Sequence, residues 1–219
     1  MLEILFEDES LLAVNKPAGL VVHPAYKNVD GTLLDQLRDR DPQATLSVVG
    51  RLDKLTSGIV VLAKTAAVHA ALQRSWRNAE KNYLAIVQGR VEPASGSIDL
   101  PLGTDPSDRR RRMVRPDGAP SVTLFERVDY DVSSDRSLVR CRLMTGRRHQ
   151  IRVHLAARGW PVVGDVRYGT ALPGFPRHAL HAWRLRFVHP RTGGLVTFDA
   201  PLPAAMAALS SASASRYGQ

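Results

Sequence analysis

Residues 58–63 read Gly58-Ile59-Val60-Val61-Leu62-Ala63, a run with no polar side chain. A short run rich in β-branched residues and flanked by turn formers suits a strand covered on both faces, so the chain must supply a layer on each side of it. Tyr83 to Gly89 is a second run of this kind. Around these two, shorter apolar stretches predict strands at residues 2–6, 11–14, 19–23, 122–130, 137–144, 183–189 and 194–199, most of them joined by short turns. Helical spacing is sparser. Thr32 is placed to cap a helix reaching about Arg40, with Leu33, Leu34 and Leu37 inward and Pro42 past its end. A second helix is predicted from Thr65 to about Ala79, because Val68, Leu72 and Trp76 recur every four residues on one face. A third runs from about His149 to Arg158 and stops at Gly159, and a short one precedes the C-terminus. Strands outnumber helices, which predicts an α+β fold built on a large mixed, mainly antiparallel β-sheet flanked by helices and loops. Residues 210–219 are small and polar and are expected to be a disordered tail.

With 219 residues the chain can form one domain, expected over 1–209. At this length about 70% of the unfolded surface is buried on folding, so no staple is required. Cys141 is the only cysteine, which excludes a disulfide framework and a cysteine-cluster metal site; its alternating surroundings read as a strand without chemistry. The N-terminus has neither a basic n-region nor an apolar h-region, and no run approaches 18 apolar residues, so neither a signal peptide nor a membrane span is expected. A cytoplasmic protein follows. The net charge of +9 and a sequence pI of about 10.3 point to a polyanionic partner, against the plainer reading of a basic but inert surface. That charge is densest in residues 101–120, where Arg109, Arg110, Arg111, Arg112 and Arg115 stand among Asp, Pro and Gly without apolar period. An exposed basic loop is predicted there.

The motifs of nucleotide hydrolysis, dinucleotide redox chemistry and zinc proteolysis are all missing. Three basic segments remain. In Gly50-Arg51-Leu52-Asp53-Lys54-Leu55-Thr56-Ser57-Gly58 a carboxylate stands between cations that would hold it ionised. Such an Asp can be a nucleophile, a base or a metal ligand, although spacing alone favours an ordinary surface ion pair. In Thr145-Gly146-Arg147-Arg148-His149-Gln150-Ile151-Arg152-Val153-His154 a Gly turn leads into the third helix, with Arg148 and Arg152 on one face. Backbone amides and cations could bind an anion there, or the face could simply be solvated. His149 and His154 are five apart, which is not the spacing of a helical zinc pair, so they read as structural or RNA-contacting and no metal is expected. Finally, Lys81-Asn82-Tyr83 places an aromatic at the mouth of a buried strand, where it could stack on a base, shuttle a proton, or be a plain strand residue.

In order and spacing these segments resemble the RluA-type family of RNA pseudouridine synthases over nearly the whole chain. The carrying residues are Leu12-Ala13-Val14-Asn15-Lys16-Pro17-Ala18-Gly19-Leu20-Val21-Val22-His23-Pro24, Arg51-Leu52-Asp53, Thr56-Ser57-Gly58, Lys81 with Tyr83, and the run from Thr145 to His154. Pro161-Val162-Val163-Gly164-Asp165 and Tyr168-Gly169 complete the set. The resemblance implies the pseudouridine synthase catalytic fold and makes Asp53 the catalytic carboxylate, reversing the reading from spacing. It makes Tyr83 the residue that stacks on the target base and can move a proton, Arg152 the partner of the catalytic Asp, and Arg51 the arginine that helps expel or replace the target nucleotide. Gly50 departs from the family, many of whose members have His there. Members often carry an N-terminal S4-type RNA-binding domain; this chain starts at the catalytic domain, so RNA binding is expected from the catalytic domain itself.

Pseudouridylation breaks the N1–C1′ bond, rotates the uracil and rejoins it through C5, and so needs no redox centre, metal or nucleotide. No cofactor is expected. It needs an ionised carboxylate and a dry pocket for the detached base, with the uridine flipped out at a cost of a few kcal/mol. Phosphate contacts from Arg51, Arg109, Arg110, Arg111, Arg112, Arg115, Arg147 and Arg148, together with His149, would offset that cost. The expected partner is a stem-loop of ribosomal or transfer RNA, bound by a monomer. A non-catalytic RNA clamp would fit the composition equally, but it has no use for a carboxylate among cations. A glycosidase would need a second carboxylate, and no motif supplies one.

Overall fold

The computed structural model describes residues 2–23, 30–210 and Tyr217. In chain order the strands are β1 (Glu3–Glu7), β2 (Leu11–Lys16), β3 (Ser47–Val48), β4 (Ser57–Ala63), β5 (Glu80–Gln88), β6 (Ser95–Asp99), β7 (Leu102–Thr104), β8 (Arg112–Val114), β9 (Val122–Asp131), β10 (Arg136–Leu143), β11 (Leu180–Val188) and β12 (Leu195–Asp199). The helices are α1 (Leu33–Arg40), α2 (Ala66–Ser75), α3 (Gln150–Ala157) and α4 (Ala204–Ala207), with a 3₁₀ turn at Trp76–Asn78. This is the mostly antiparallel, helix-poor α+β architecture that the periodicity predicts. The chain divides into two compact units, Met1–Ala79 with Ala182–Ala200, and Glu80–His181 with Pro201–Gln219.

In the first unit β1, β2 and β4 pair antiparallel in that order, β3 pairs with β4, and β12 pairs with the Arg184–Val188 part of β11. Every residue of β4 is buried, and the pleat explains why all of them are apolar or small. Ile59, Val61 and Ala63 face one core with Leu11, Ala13 and Leu72 of α2, whereas Val60 and Leu62 face another with Leu12, Val14 and the α1 residues Leu33, Leu34 and Leu37. Each large aliphatic side chain so buried contributes about 1.5–3 kcal/mol. α1 begins at a reciprocal cap, in which Thr32 Oγ1 accepts the Asp35 N–H and the Asp35 carboxylate accepts the Thr32 N–H. Gly58, at φ +111°, is required by close approach: a Cβ there would lie 2.2 Å from the Ala182 carbonyl oxygen.

In the second unit β5, β10, β9 and β6 form an antiparallel set. Cys141 lies in β10 opposite Tyr83, fully buried, and burial pushes its thiol pKa up to about 12. It is an inert strand residue. α3 packs beside β9, with His154 bonded by Nδ1 to Thr123 Oγ1 and by Nε2 to the Leu100 carbonyl.

Three expectations need correction. Residues 19–23 form no strand, because Gly19 turns at φ +91° and the segment's backbone groups bond to Lys54 and to the start of α1. The basic segment is not a plain loop: β7 and β8 pair as a two-stranded ribbon with Thr104 opposite Arg112. Arg148 is not on the third helix, which begins at Gln150 after His149 turns at φ +59°. Of the predicted tail, only Ser210 and Tyr217 fall within the described residues, so that expectation lies outside them.

Candidate active site

Asp53 occupies the turn that feeds β4. Its carbonyl accepts the Thr56 N–H at 3.1 Å, and the next carbonyl, Lys54, accepts the Gly19 N–H at 2.8 Å. Beneath this turn lies Lys16, the last residue of β2 and fully buried. Its ammonium donates to the carbonyls of Pro17 and Leu20, both at 2.9 Å, and to that of Lys54 at 3.2 Å. A charge withdrawn from water is tolerated only when its donors are satisfied, and these three acceptors match its three protons. One ammonium therefore ties the 17–20 loop to the Asp53 turn. Asp53 itself is half-buried, while Arg51 and Lys54 are exposed on either side of it. The departure at Gly50 has a local reason, since a Cβ there would lie 2.7 Å from the ring of Trp76.

In the second unit Tyr83 is half-buried on β5. Lys81, two residues earlier, shares its face of the strand, and burial lowers the lysine's pKa. Arg152 lies on α3, whose residues from Gln150 to Leu155 are all buried, so the solvated basic face is excluded. The guanidinium donates from Nε to Asp165 Oδ2 and from Nη2 to Asp165 Oδ1. Burial pushes the Asp165 carboxyl up, but the hydrogen bonds and charge of Arg152 outweigh it and hold the pKa below the ordinary value. Tyr168 lies 5.0 Å from the Arg152 guanidinium carbon, and its hydroxyl meets His149 Nδ1 at 2.7 Å. His154 is pushed down by burial and is a neutral structural residue, with both ring nitrogens bonded.

The remaining cations are distributed unevenly. Arg109, Arg110 and Arg111 are exposed at the ribbon tip, and Arg112 and Arg115 are half-buried below it. Arg110 chelates Asp108 at 3.0 and 3.2 Å and Arg115 chelates Asp117 at 2.8 and 2.7 Å. The Arg110 side-chain bonds bring the Asp108 pKa down to about 2. Arg147 and Arg148 are exposed in the turn before α3. Thus the side chains of Arg111, His149 and Arg152 and the main-chain N–H of Arg112 converge on Tyr168 within one unit, and Arg51 stands beside Asp53 in the other. Among the described residues no cluster of His, Cys, Asp or Glu could hold a metal ion. Reading by charge and spacing overlooked Asp165, Tyr168 and Lys16. Their signal is faint: an Asp and a Tyr three apart between glycines, and a lysine ending an apolar strand.

Comparison with known proteins adds an independent line. The sequence model of the family described as RNA pseudouridylate synthase matches residues 10–157. A ribosomal large subunit pseudouridine synthase D of Nitrosomonas europaea is 43% identical over 95% of this chain and 64% of its own length. The protein of the same name from Xanthomonas campestris is 42% identical over 96% of this chain and 69% of its own. The chain thus spans about two thirds of the length of these relatives. Among solved structures, human RNA Pseudouridylate Synthase Domain Containing 1 superposes with a TM-score of 0.80 at 29% identity, covering 96% of this chain and 88% of that one.

Proposed function

The chain belongs to the RNA pseudouridylate synthase family, and on that premise we propose that it isomerises uridine to pseudouridine in RNA, with Asp53 as the catalytic carboxylate. The observation that carries this reading is the family match over residues 10–157, which encloses Asp53, Tyr83 and Arg152 together. The names of the relatives favour ribosomal RNA of the large subunit over transfer RNA as substrate. No helix among the described residues is long and apolar enough to cross a membrane, and the protein is proposed to act in the cytoplasm as a monomer.

The reaction balances within the nucleotide. The C1′–N1 bond breaks, C1′–C5 forms, the C5 proton is lost and N1 gains one; no electron enters or leaves. An ionised carboxylate serves this as a nucleophile toward C1′ or C6, or as a base for the C5 proton. The closely tied turn gives Asp53 a fixed position, which is where enzymes gain most from orientation. Tyr83 is assigned to stacking on the flipped uracil and to proton movement. Arg152 is assigned as the catalytic cation that favours the charged carboxylate. Arg51, Arg147, Arg148, His149 and the ribbon arginines are assigned to the RNA backbone.

The test is an unmodified in-vitro transcript of the host's large-subunit ribosomal RNA, incubated with the purified chain and mapped for pseudouridine. New pseudouridine with the parent and none with Asp53→Asn, at unchanged RNA affinity and fold, is the expected result. Turnover retained by Asp53→Asn would overturn the assignment.

A further inference from the structure

The ribbon β7–β8 is held to the turn after α3 through its main chain. The Tyr168 hydroxyl accepts the Arg112 N–H at 2.8 Å, and Arg167 Nη1 donates to the Arg110 carbonyl at 2.6 Å. Both holding residues belong to a turn that Asp165 fixes, since Asp165 Oδ1 accepts the amides of Arg167 and Tyr168 at 3.0 and 3.3 Å. The carboxylate that fixes this turn is the one that clamps Arg152. Tyr168 therefore has two working ends. Its ring lies 5.0 Å from the Arg152 guanidinium carbon and 5.6 Å from that of Arg111, within the range at which a ring attracts a cation. Its hydroxyl meets both the ribbon backbone and His149 Nδ1. A hydroxyl that donates to the imidazole and accepts from the amide uses its proton and one lone pair, so both bonds can form together.

Resting on the synthase reading above, we propose that Tyr168 is a positioning residue joining RNA binding to catalysis: its hydroxyl holds the basic ribbon in place for RNA phosphates, and its ring holds Arg152 in its working orientation. Because the ribbon is held by its backbone, the hold does not occupy the guanidinium groups of Arg110 and Arg112. The turn carrying Asp165, Arg167 and Tyr168 makes the ribbon and Arg152 parts of one rigid assembly.

Tyr168→Phe removes only the hydroxyl, leaving the Arg112 N–H without this partner while the ring stays. KM on the large-subunit transcript is expected to rise about tenfold, with kcat changed less than about threefold. Tyr168→Leu removes the ring as well, and kcat is expected to fall a further tenfold or so. A merely structural residue would not split the two constants between the two variants. Amide hydrogen exchange over residues 102–114, measured without RNA, is expected to speed up in Tyr168→Phe and equally in Arg167→Ala, which removes the neighbouring hold. Unchanged exchange would overturn the ribbon half of the proposal. Equal kcat losses in the Phe and Leu variants would overturn the Arg152 half. A parent without turnover would instead overturn the synthase reading and the catalytic half with it, leaving the exchange result to decide the ribbon half alone.

Discussion

Arg152 and Asp165 form a bidentate ion pair at 2.7 and 2.8 Å with side-chain exposures of only 7% and 1%. Removing two charges from water is costly, and such a pair repays it only with good geometry and further hydrogen bonds. Here the planar guanidinium and carboxylate meet fork to fork, and the carboxylate also accepts two backbone amides. The pair fixes the direction of the guanidinium more than it adds to stability.

Truncating one partner strands the other. Asp165→Ala is expected to destabilise the fold by about 3–5 kcal/mol, whereas Asp165→Ala combined with Arg152→Met should recover most of that loss. Urea denaturation of the parent, the two single variants and the double variant closes the cycle. Arg152→Ala should also cut pseudouridine formation by about a hundredfold or more, as loss of a catalytic cation does. An unaltered rate would remove Arg152 from the catalytic set.

Acid should separate this pair from the surface carboxylates. The Asp165 pKa is lower in the folded chain than in the unfolded one, so below its ordinary value the unfolded state takes up a proton first. The pair's contribution is therefore complete above about pH 5 and is lost as pH falls through the ordinary carboxylate range near 3.9 toward the folded value. Asp165→Asn should be less stable than the parent at pH 7, with the gap narrowing as pH drops from 5 to 3. Denaturation series at pH 7, 5, 4 and 3 measure it; a constant gap would contradict the linkage.

The buried ammonium of Lys16 is a second point where a charge sets geometry. Lys16→Met keeps the apolar stem but leaves the carbonyls of Pro17, Leu20 and Lys54 without that donor. Lys54 keeps the Gly19 amide and Pro17 is exposed to water, so the Leu20 carbonyl is the acceptor most nearly stranded, and a loss of about 1–3 kcal/mol is expected in chemical denaturation. Since Lys54 adjoins Asp53, kcat should fall more than KM rises. A variant as stable as the parent would show that the 17–20 loop holds itself.

How far this could be read from the chain depends on how local each cause is. The two-faced burial of β4 was legible, because its runs of side chains carry the pattern themselves. Thr32 likewise announced α1. The missing strand at 19–23 was not, since a buried lysine and the start of α1 claim backbone groups that a sheet would have used. The ribbon was hidden because β7 and β8 are three residues each and carry charge rather than alternation. Asp53 was singled out by family resemblance alone, since its charged neighbours by themselves favour an ordinary surface ion pair. Asp165 and Tyr168 matter through partners 13 and 56 positions away, Arg152 and Arg112, and no spacing rule reaches that far.

The same distinction between held and available charge governs RNA binding. Arg110 and Arg115 are each chelated by an aspartate, and a phosphate must compete with that carboxylate. Arg109 and Arg148 are exposed, and no ion pair involves either among the described residues. A cation that meets a phosphate releases counterions and steepens the salt dependence by about 0.7–0.9 in the slope of log K against log salt. Arg109→Ala and Arg148→Ala should each lower that slope by about that amount on the large-subunit transcript. Arg110→Ala should lower it by clearly less, because Asp108 is then freed to repel the backbone and affinity falls through repulsion instead. Filter binding from low to high salt reads the slopes, and equal slopes for Arg109→Ala and the parent would take Arg109 out of the RNA contact.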